Sequence, residues 1–477
     1  MSLHLGTDGW RGVLADSCTF EEIRGVAGGL ARWLRSEAPA ADDRRVVVGF
    51  DTRFLSPELA AAAAEVLARA GCEVLLSDRP IPTPAVSFHV HRLGLAAGVA
   101  ITASHNPAIY NGFKIKARFG GSAPPETYAA VASEIGGSLP DSGRAGRVDV
   151  QDLYSPYRER LWETVDLHAI RDAGLSVLAD AMHGAAGALV AEIANGGATR
   201  VVPFRAERDA LFGGVNPEPI AANLSAAAER VRKDGLQLAV ATDGDADRLG
   251  VLDRRGEFVS PHRILALLLL HAFRRRGLSG GIARTFSTSL LIDRIAARLG
   301  APLSETPIGF KHIAERMNRG EVVAGGEESG GYAFAFHLPE RDGVLAALLL
   351  IEGLAESGRD LDAALRDLGA EFGEFAYDRR DLYLPVPVVR AFVEERRSKP
   401  PASVAGEAVT SVRDLDGVKY LFGERGWLLH RLSGTEPLIR LYCEHESGEK
   451  VAAILDETRS RLEDFARSRG AEATEGP

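Results

Sequence analysis

The chain has 477 residues, of which 45% are hydrophobic and 26% charged, with a formal net charge of −10; this is ordinary material for folded domains and too long for one compact core. The acidic balance, with no basic face or run, argues against a nucleic-acid role, and three cysteines make no disulfide framework and fit a reducing compartment. No basic region followed by an apolar core opens the chain, and the longest greasy run, residues 264–273, is broken by His271 and far short of a membrane span.

One pattern recurs three times along the chain: an apolar strand, a small polar loop, an Ala/Leu-rich helix, a glycine stop and a second strand. It runs over residues 46–49, 60–70, Gly71 and 73–76, again over 177–179, 188–194, Gly196 and 200–202, and again over 282–285, 290–299, Gly300 and Leu303. Glycine just past each helix is expected to supply a left-handed cap, and the next strand to return parallel. Three related α/β domains follow, over 1–150, 151–255 and 256–373, separated by the turn-rich stretch 136–143 and by the Arg254-Arg255-Gly256 turn. Residues 264–273 are expected to form a buried helix of the third. After Gly373 the composition changes to a charged helix and short strands near residues 427–429 and 438–442, which read as a smaller α+β domain over 374–477.

The chemistry collects in loops. The apolar run 95–101 has the length of a buried strand and stops at Thr102-Ala103-Ser104-His105-Asn106-Pro107, where Pro107 forbids further ladder. Ser104 is thus at the end of a strand, where ligands gather in α/β sheets, with His105 and Lys114 close enough in sequence to assist its hydroxyl. Taken alone, such a stretch is more often the punctuation of a loop by an Asx- or ST-turn. Between the strands expected at 236–241 and 249–252 lie Asp243, Asp245 and Asp247, and a turn at Gly244 would let the three converge on one hard cation such as Mg²⁺. Three aspartates with one divalent cation sum to about −1, and a phosphorylated Ser104 adds about −2. Arg11, Arg53, Lys114 and Arg248 are the candidates to balance it.

Two further loops carry ligand chemistry. Gly325 to Gly331 contains glycines that let backbone approach a ligand, with Glu327 as an acceptor and Ser329 as a donor suited to sugar hydroxyls; a hairpin tip is the alternative. Lys311 opens the helix that ends near Gly320, either as a phosphate ligand at its N-terminus or as an exposed first-turn residue. Arg431-Leu432-Ser433-Gly434-Thr435-Glu436-Pro437, followed by Arg440, combines hydroxyls, backbone N–H groups and two guanidiniums into a phosphate nest, without the lysine and spacing of a Walker loop.

Four of these stretches, residues 102–107, 243–248, 326–330 and 431–440, occur in the order found in the α-D-phosphohexomutase family, which the chain resembles over nearly its whole length. That resemblance implies a heart-shaped protein, three related α/β domains with mixed sheets and a C-terminal α+β domain around a central cleft. It implies Ser104 as the phosphoserine and a Mg²⁺ ligand beside Asp243, Asp245 and Asp247, with Arg11 and Arg248 steadying the phosphoryl group. His105, Lys114 and Lys311 would move protons or compensate charge, Glu327 and Ser329 would hold the sugar, and Arg431, Ser433, Gly434, Thr435 and Arg440 would grip the substrate's phosphate. The activity implied is interconversion of hexose 1- and 6-phosphates, with one Mg²⁺ per site and a hexose 1,6-bisphosphate as activator, in a cytoplasmic monomer or weak homodimer that needs neither nucleic acid nor membrane. Glu327-Glu328-Ser329 looks like the glucose-type members, so glucose phosphate is the expected substrate, ahead of mannose and glucosamine phosphates. Leu432 and Gly331 depart from the residues common in the family. Two other classes compete: a metal-dependent phosphatase using an aspartate nucleophile, which the Arg431 loop argues against, and a sugar-phosphate sensor, which would not need Ser104.

Overall fold

The computed structural model describes residues 9–37, 44–138, 145–433 and 437–475. The chain clusters into two compact units, residues 1–283 with 309–365 and residues 284–308 with 366–477.

The first unit holds two mixed sheets. One is ordered Trp10–Val13, Tyr110–Ala117, Ala97–Ile101, Arg45–Phe50, Glu73–Ser77, Val148–Gln151. Its four strands from Ala97–Ile101 to Val148–Gln151 are parallel, and Tyr110–Ala117 and Trp10–Val13 turn antiparallel. Residues 97–101 are buried throughout, as a strand covered on both faces must be, and the helices Phe20–Glu37 and Ser56–Arg69 bring Ile23, Leu30, Leu59 and Leu67 into the same core.

The second sheet is ordered Phe258–Val259, Leu249–Asp253, Leu238–Thr242, Ser176–Asp180, Arg200–Phe204. Its last three strands are parallel and its first two antiparallel. In both sheets, then, a buried parallel strand is followed by an antiparallel neighbour, and the loop between them stands at the strand's carboxyl end. That is where Ser104 and the three aspartates lie. A further antiparallel pair, Ala324–Gly326 with Tyr332–Phe334, closes on the glycine-rich loop, and the helix Pro261–Arg274 is buried along one side as its composition requires.

The glycine stops behave differently from one another. Gly300 caps its helix in the left-handed conformation and Gly71 has φ 88°. After the helix Leu189–Ala194 the chain instead leaves through extended Asn195, and Gly196 has φ 140°, outside the left-handed helical well. There the Asn195 N–H donates to the Ala191 carbonyl at 3.0 Å, and its side chain accepts from the Val201 N–H at 3.0 Å, tying the helix exit to the strand that follows.

The second unit is built on a wholly antiparallel sheet, ordered Ser411–Arg413, Val418–Leu421, Gly426–Leu432, Leu438–His445, Ala376–Tyr383, Thr474–Glu475. The helices Val386–Ser398 and Gly448–Arg467 pack Phe392, Ile454 and Leu462 onto it. Phe286, from the 284–308 segment, is buried with Trp427, Leu429 and Tyr442. Cys18, Cys72 and Cys443 are all buried and free, and burial pushes the Cys18 thiol up to about 12. Among the described residues no helix is long and apolar enough to cross a membrane.

Candidate active site

Ser104 is completely buried and has φ 53°, a left-handed backbone that a serine adopts only when its surroundings impose it. Its Oγ donates to Asp243 Oδ2 at 2.9 Å and lies 3.4 Å from His105 Nδ1. The serine and the acidic loop, distant in sequence and carried by different sheets, are therefore in direct contact.

Asp243, Asp245 and Asp247 converge, each offering an oxygen within 4.8 Å of the others. The turn that achieves this runs through Gly244 and Asp245, as expected from the sequence, closed by the Ala246 N–H on the Asp243 carbonyl at 3.0 Å, and Ala246 follows it with a left-handed φ of 59°. Asp243 Oδ1 accepts from the N–H groups of Asp247 and Arg248 at 2.9 and 3.1 Å, which folds the loop over its own first carboxylate. Gly244 serves a second purpose as well. A Cβ there would stand 2.5 Å from the Ser104 carbonyl oxygen, so a side chain would force the two loops apart.

The charges around the triad are close and dry. Lys114, fully buried, donates from Nζ to Asp245 Oδ2 at 2.8 Å and Asp247 Oδ2 at 3.4 Å. Thr83 Oγ1 donates to Asp245 Oδ2 at 2.7 Å. Burial alone would raise the Asp245 carboxyl, but Lys114 and the hydrogen bonds from Lys114 and Thr83 outweigh it and hold it far below the ordinary range. Asp243 goes the other way: burial and then Asp245 and Asp247 push it well up. For His105, burial first and then Arg248, Arg11 and Lys114 disfavour the imidazolium.

Two buried oxygens, Asp245 Oδ1 and Asp247 Oδ1, have no hydrogen-bond partner. Three converging carboxylates with oxygens left over are a hard donor set that fits a divalent cation of the Mg²⁺ kind, because an unpaired buried carboxylate oxygen is otherwise costly.

Arg11, Arg248 and Glu327 are linked to this centre through Asn106, Asp247 and Arg341. Arg11 donates from its guanidinium to Asn106 Oδ1 on the Ser104 loop. Arg248 lies 3.9 Å from Asp247 and 3.5 Å from Glu218. Glu327 is buried, its Oε1 accepting from the Gly309 N–H at 3.1 Å and its Oε2 facing Arg341 at 3.2 Å. Burial lifts its carboxyl to about 7 against the pull of Arg341. Ser329 is half-buried at the tip of the same hairpin, and Lys311 is half-buried in the first turn of the helix Phe310–Asn318.

In the second unit Arg431 and Arg440 stand directly opposite each other on adjacent antiparallel strands. Like charges so placed repel, and each has an acid beside it, Asp416 at 3.0 Å and Asp381 at 3.6 Å. Ser433 is buried, with its N–H on the Leu438 carbonyl at 3.0 Å. Gly434 and Thr435 lie outside the described residues.

Sequence reasoning missed Thr83 and Arg341. Arg341 donates to Asp247 Oδ2 at 2.7 Å as well as to Glu327, tying the glycine-rich loop to the acidic one. The signal for it was the run of charges Glu340-Arg341-Asp342 ahead of an apolar helix, together with Gly331. A Cβ on Gly331 would fall 2.2 Å from the Arg341 side chain, so the unusual glycine is what admits the arginine.

Residues 2–138, 155–256 and 260–372 match the phosphoglucomutase/phosphomannomutase α/β/α domains I, II and III, and residues 388–461 match the C-terminal domain of the same proteins. A probable phosphoglucosamine mutase of Methanothermobacter thermautotrophicus is 32% identical over 96% of this chain and 97% of its own. A phosphoglucomutase/phosphomannomutase of Thermococcus kodakarensis is 32% identical over 94% and 96%. The crystal structure of a putative phosphomannomutase from Thermus thermophilus superposes with a TM-score of 0.85 at 36% identity, covering 97% of this chain and 99% of that one. With a serine against an acidic triad in the first unit and full-length relatives of one kind, the chain belongs to the α-D-phosphohexomutase family and is an intramolecular phosphotransferase.

Proposed function

We propose that the protein interconverts hexosamine 1-phosphate and hexosamine 6-phosphate, with Ser104 as the phosphoryl carrier. The observation that carries the mechanism is the Ser104 Oγ at 2.9 Å from Asp243, inside a ring of buried charge. Phosphate on Ser104 passes to the free oxygen of the sugar phosphate, the bisphosphorylated sugar turns over, and its other phosphate returns to Ser104, so nothing is released. Such chemistry needs positioning and charge neutralisation more than covalent assistance.

In this reading Asp243, Asp245 and Asp247, with the phosphate on Ser104, hold one Mg²⁺, which supplies charge neutralisation at the reacting phosphoryl group. Lys114 balances Asp245 and Asp247 and exchanges protons with the sugar oxygen, with His105 neutral beside Ser104 to share that task. Arg11 and Arg248 steady the phosphoryl oxygens, and Lys311 adds a positive charge. Glu327 and Ser329 receive sugar hydroxyls, and Arg431, Ser433, Gly434, Thr435 and Arg440 form a phosphate grip. A hexose 1,6-bisphosphate keeps Ser104 charged. The same reading makes the enzyme a cytoplasmic monomer or weak homodimer acting on small sugar phosphates alone.

The amino sugar is put first because relatives named phosphoglucosamine mutase span this chain from end to end. Glucose phosphate, the substrate expected from the sequence, remains the second reading on the strength of Glu327-Glu328-Ser329. The test is a panel of glucosamine, glucose and mannose 1-phosphates, each with a trace of its bisphosphate. Fastest turnover of glucosamine 1-phosphate supports the first reading and fastest turnover of glucose 1-phosphate the second. Net phosphate release without isomerisation would overturn both in favour of a phosphatase.

A further inference from the structure

Arg53 was a candidate to balance phosphate charge, but its guanidinium is spent elsewhere. The side chain is fully buried. A guanidinium has five N–H donors in a rigid fork, and all five have acceptors here. Nε donates to Asp51 Oδ2 at 3.0 Å. One terminal nitrogen donates to the carbonyls of Pro107 and Tyr110 at 2.8 and 3.0 Å, the other to those of Ser104 and Asn106 at 2.6 and 2.7 Å. Its face lies over the Phe212 ring at 4.9 Å.

Four of those acceptors belong to the loop that bears the carrier serine. Asp51 completes the arrangement from the other side, because its Oδ2 also accepts from Thr102 Oγ1 at 2.6 Å, and that hydroxyl accepts from the Ser104 N–H at 2.8 Å. Ser104 is thus held at its carbonyl by Arg53 and at its N–H through Thr102 and Asp51, and between these two holds it keeps a left-handed φ of 53°. A trans peptide puts its C=O and N–H on opposite edges. Fixing the Ser104 carbonyl on Arg53 therefore turns the next N–H, that of His105, away from Arg53, and it meets no acceptor among the described residues.

We propose that Arg53 is the positioning residue of the phosphoserine loop: it gathers the carbonyl oxygens of Ser104, Asn106, Pro107 and Tyr110 inward, away from the phosphoryl group, and leaves the His105 N–H turned outward as a donor to a phosphoryl oxygen. Carbonyl oxygens facing a dianion would repel it, and this one buried cation removes four of them. Arg53 is itself anchored, since Arg208 donates to the carbonyls of Thr52 and Arg53 at 3.0 and 3.1 Å. Lysine, with three donors on a point charge, cannot fill five positions or lie flat on Phe212.

The inference rests on Ser104 being the carrier, and its test separates the two. Arg53→Lys is compared with the wild type for kcat, KM and the rate at which hexose 1,6-bisphosphate phosphorylates Ser104, with thermal unfolding as a check on folding. The expected result is a kcat lower by roughly a hundred-fold, as for a misplaced reacting group, with KM little changed and Ser104 labelling slowed in proportion. A raised KM with kcat intact, or no change in a folded variant, overturns the inference. Thr102→Val, which cuts the link from the Ser104 N–H to Asp51 and keeps Arg53, is expected to give the same kcat-only loss in smaller degree; it decides the matter if Arg53→Lys does not fold, and an unchanged kcat then overturns the inference. Wild-type protein that never carries phosphate on Ser104 overturns the carrier reading, and this inference with it.

Discussion

Replacing Lys114 by methionine tests the electrostatics of the site without touching the carrier. The ammonium lies 2.8 and 3.4 Å from two carboxylates, and all three groups are fully buried. Removing one partner of such a pair strands buried charge and costs about 3–5 kcal/mol. Arg341, 2.7 Å from Asp247, shares part of the load, which favours the lower end. At about 2–4 °C of Tm per kcal/mol for large domains, Lys114→Met in EDTA is expected to unfold roughly 6–12 °C below the wild type. Excess Mg²⁺ stabilises the folded state of both proteins by mass action, but in the variant it also supplies the missing positive charge. The Mg²⁺-induced rise in Tm, measured by calorimetry or near-UV circular dichroism, is therefore expected to be larger in the variant. Equal rises, or a variant as stable as wild type in EDTA, would refute the claim that Lys114 neutralises a site built for a cation.

Two further outcomes follow from particular groups. Glu327 has a folded pKa of about 7 against an ordinary 4.5, because burial disfavours its charge. The folded chain therefore holds that proton more tightly, and the associated stability is full below about pH 4.5 and lost as pH rises through about 7, amounting to about 3–4 kcal/mol at about 1.4 kcal/mol per unit. Urea titrations across that range are expected to show this loss in the wild type and not in Glu327→Gln; parallel pH profiles would contradict it. Gly244→Ala places a Cβ 2.5 Å from the Ser104 carbonyl oxygen. It is expected to cost about 1–3 kcal/mol by denaturant midpoint and to depress kcat, and a fully active, fully stable variant would show that the two loops need not touch.

Much of the site was legible because strand ends are legible. The buried run before Thr102 and the two runs flanking Asp243 to Asp247 announced strands by length and composition, and Pro107 marked where the ladder had to stop. Carboxylates at every second position in a loop between strands then had few purposes other than a shared cation. What could not be read was which distant groups would meet. Arg53 looked like any arginine available for phosphate until its donors were seen on four carbonyls, and nothing in the sequence distance between Arg341 and Asp247 suggested their ion pair. The glycine at 244 makes the turn expected of it and also permits a close approach that the sequence did not announce, because a missing side chain looks the same in either role. After residues 189–194 the chain leaves through an extended Asn195 where a left-handed glycine was expected, since sequence shows that a helix must stop but not which backbone conformation stops it.

The central claim is that Ser104 carries the phosphoryl group. Incubating the protein with hexose 1,6-bisphosphate and mapping the phosphate by peptide mass spectrometry tests it most directly. The account predicts one acid-stable phosphate on Ser104, transferable to sugar monophosphate, and neither label nor isomerisation in Ser104→Ala. Phosphate on an aspartate of the 243–247 loop, or normal turnover in Ser104→Ala, would contradict it.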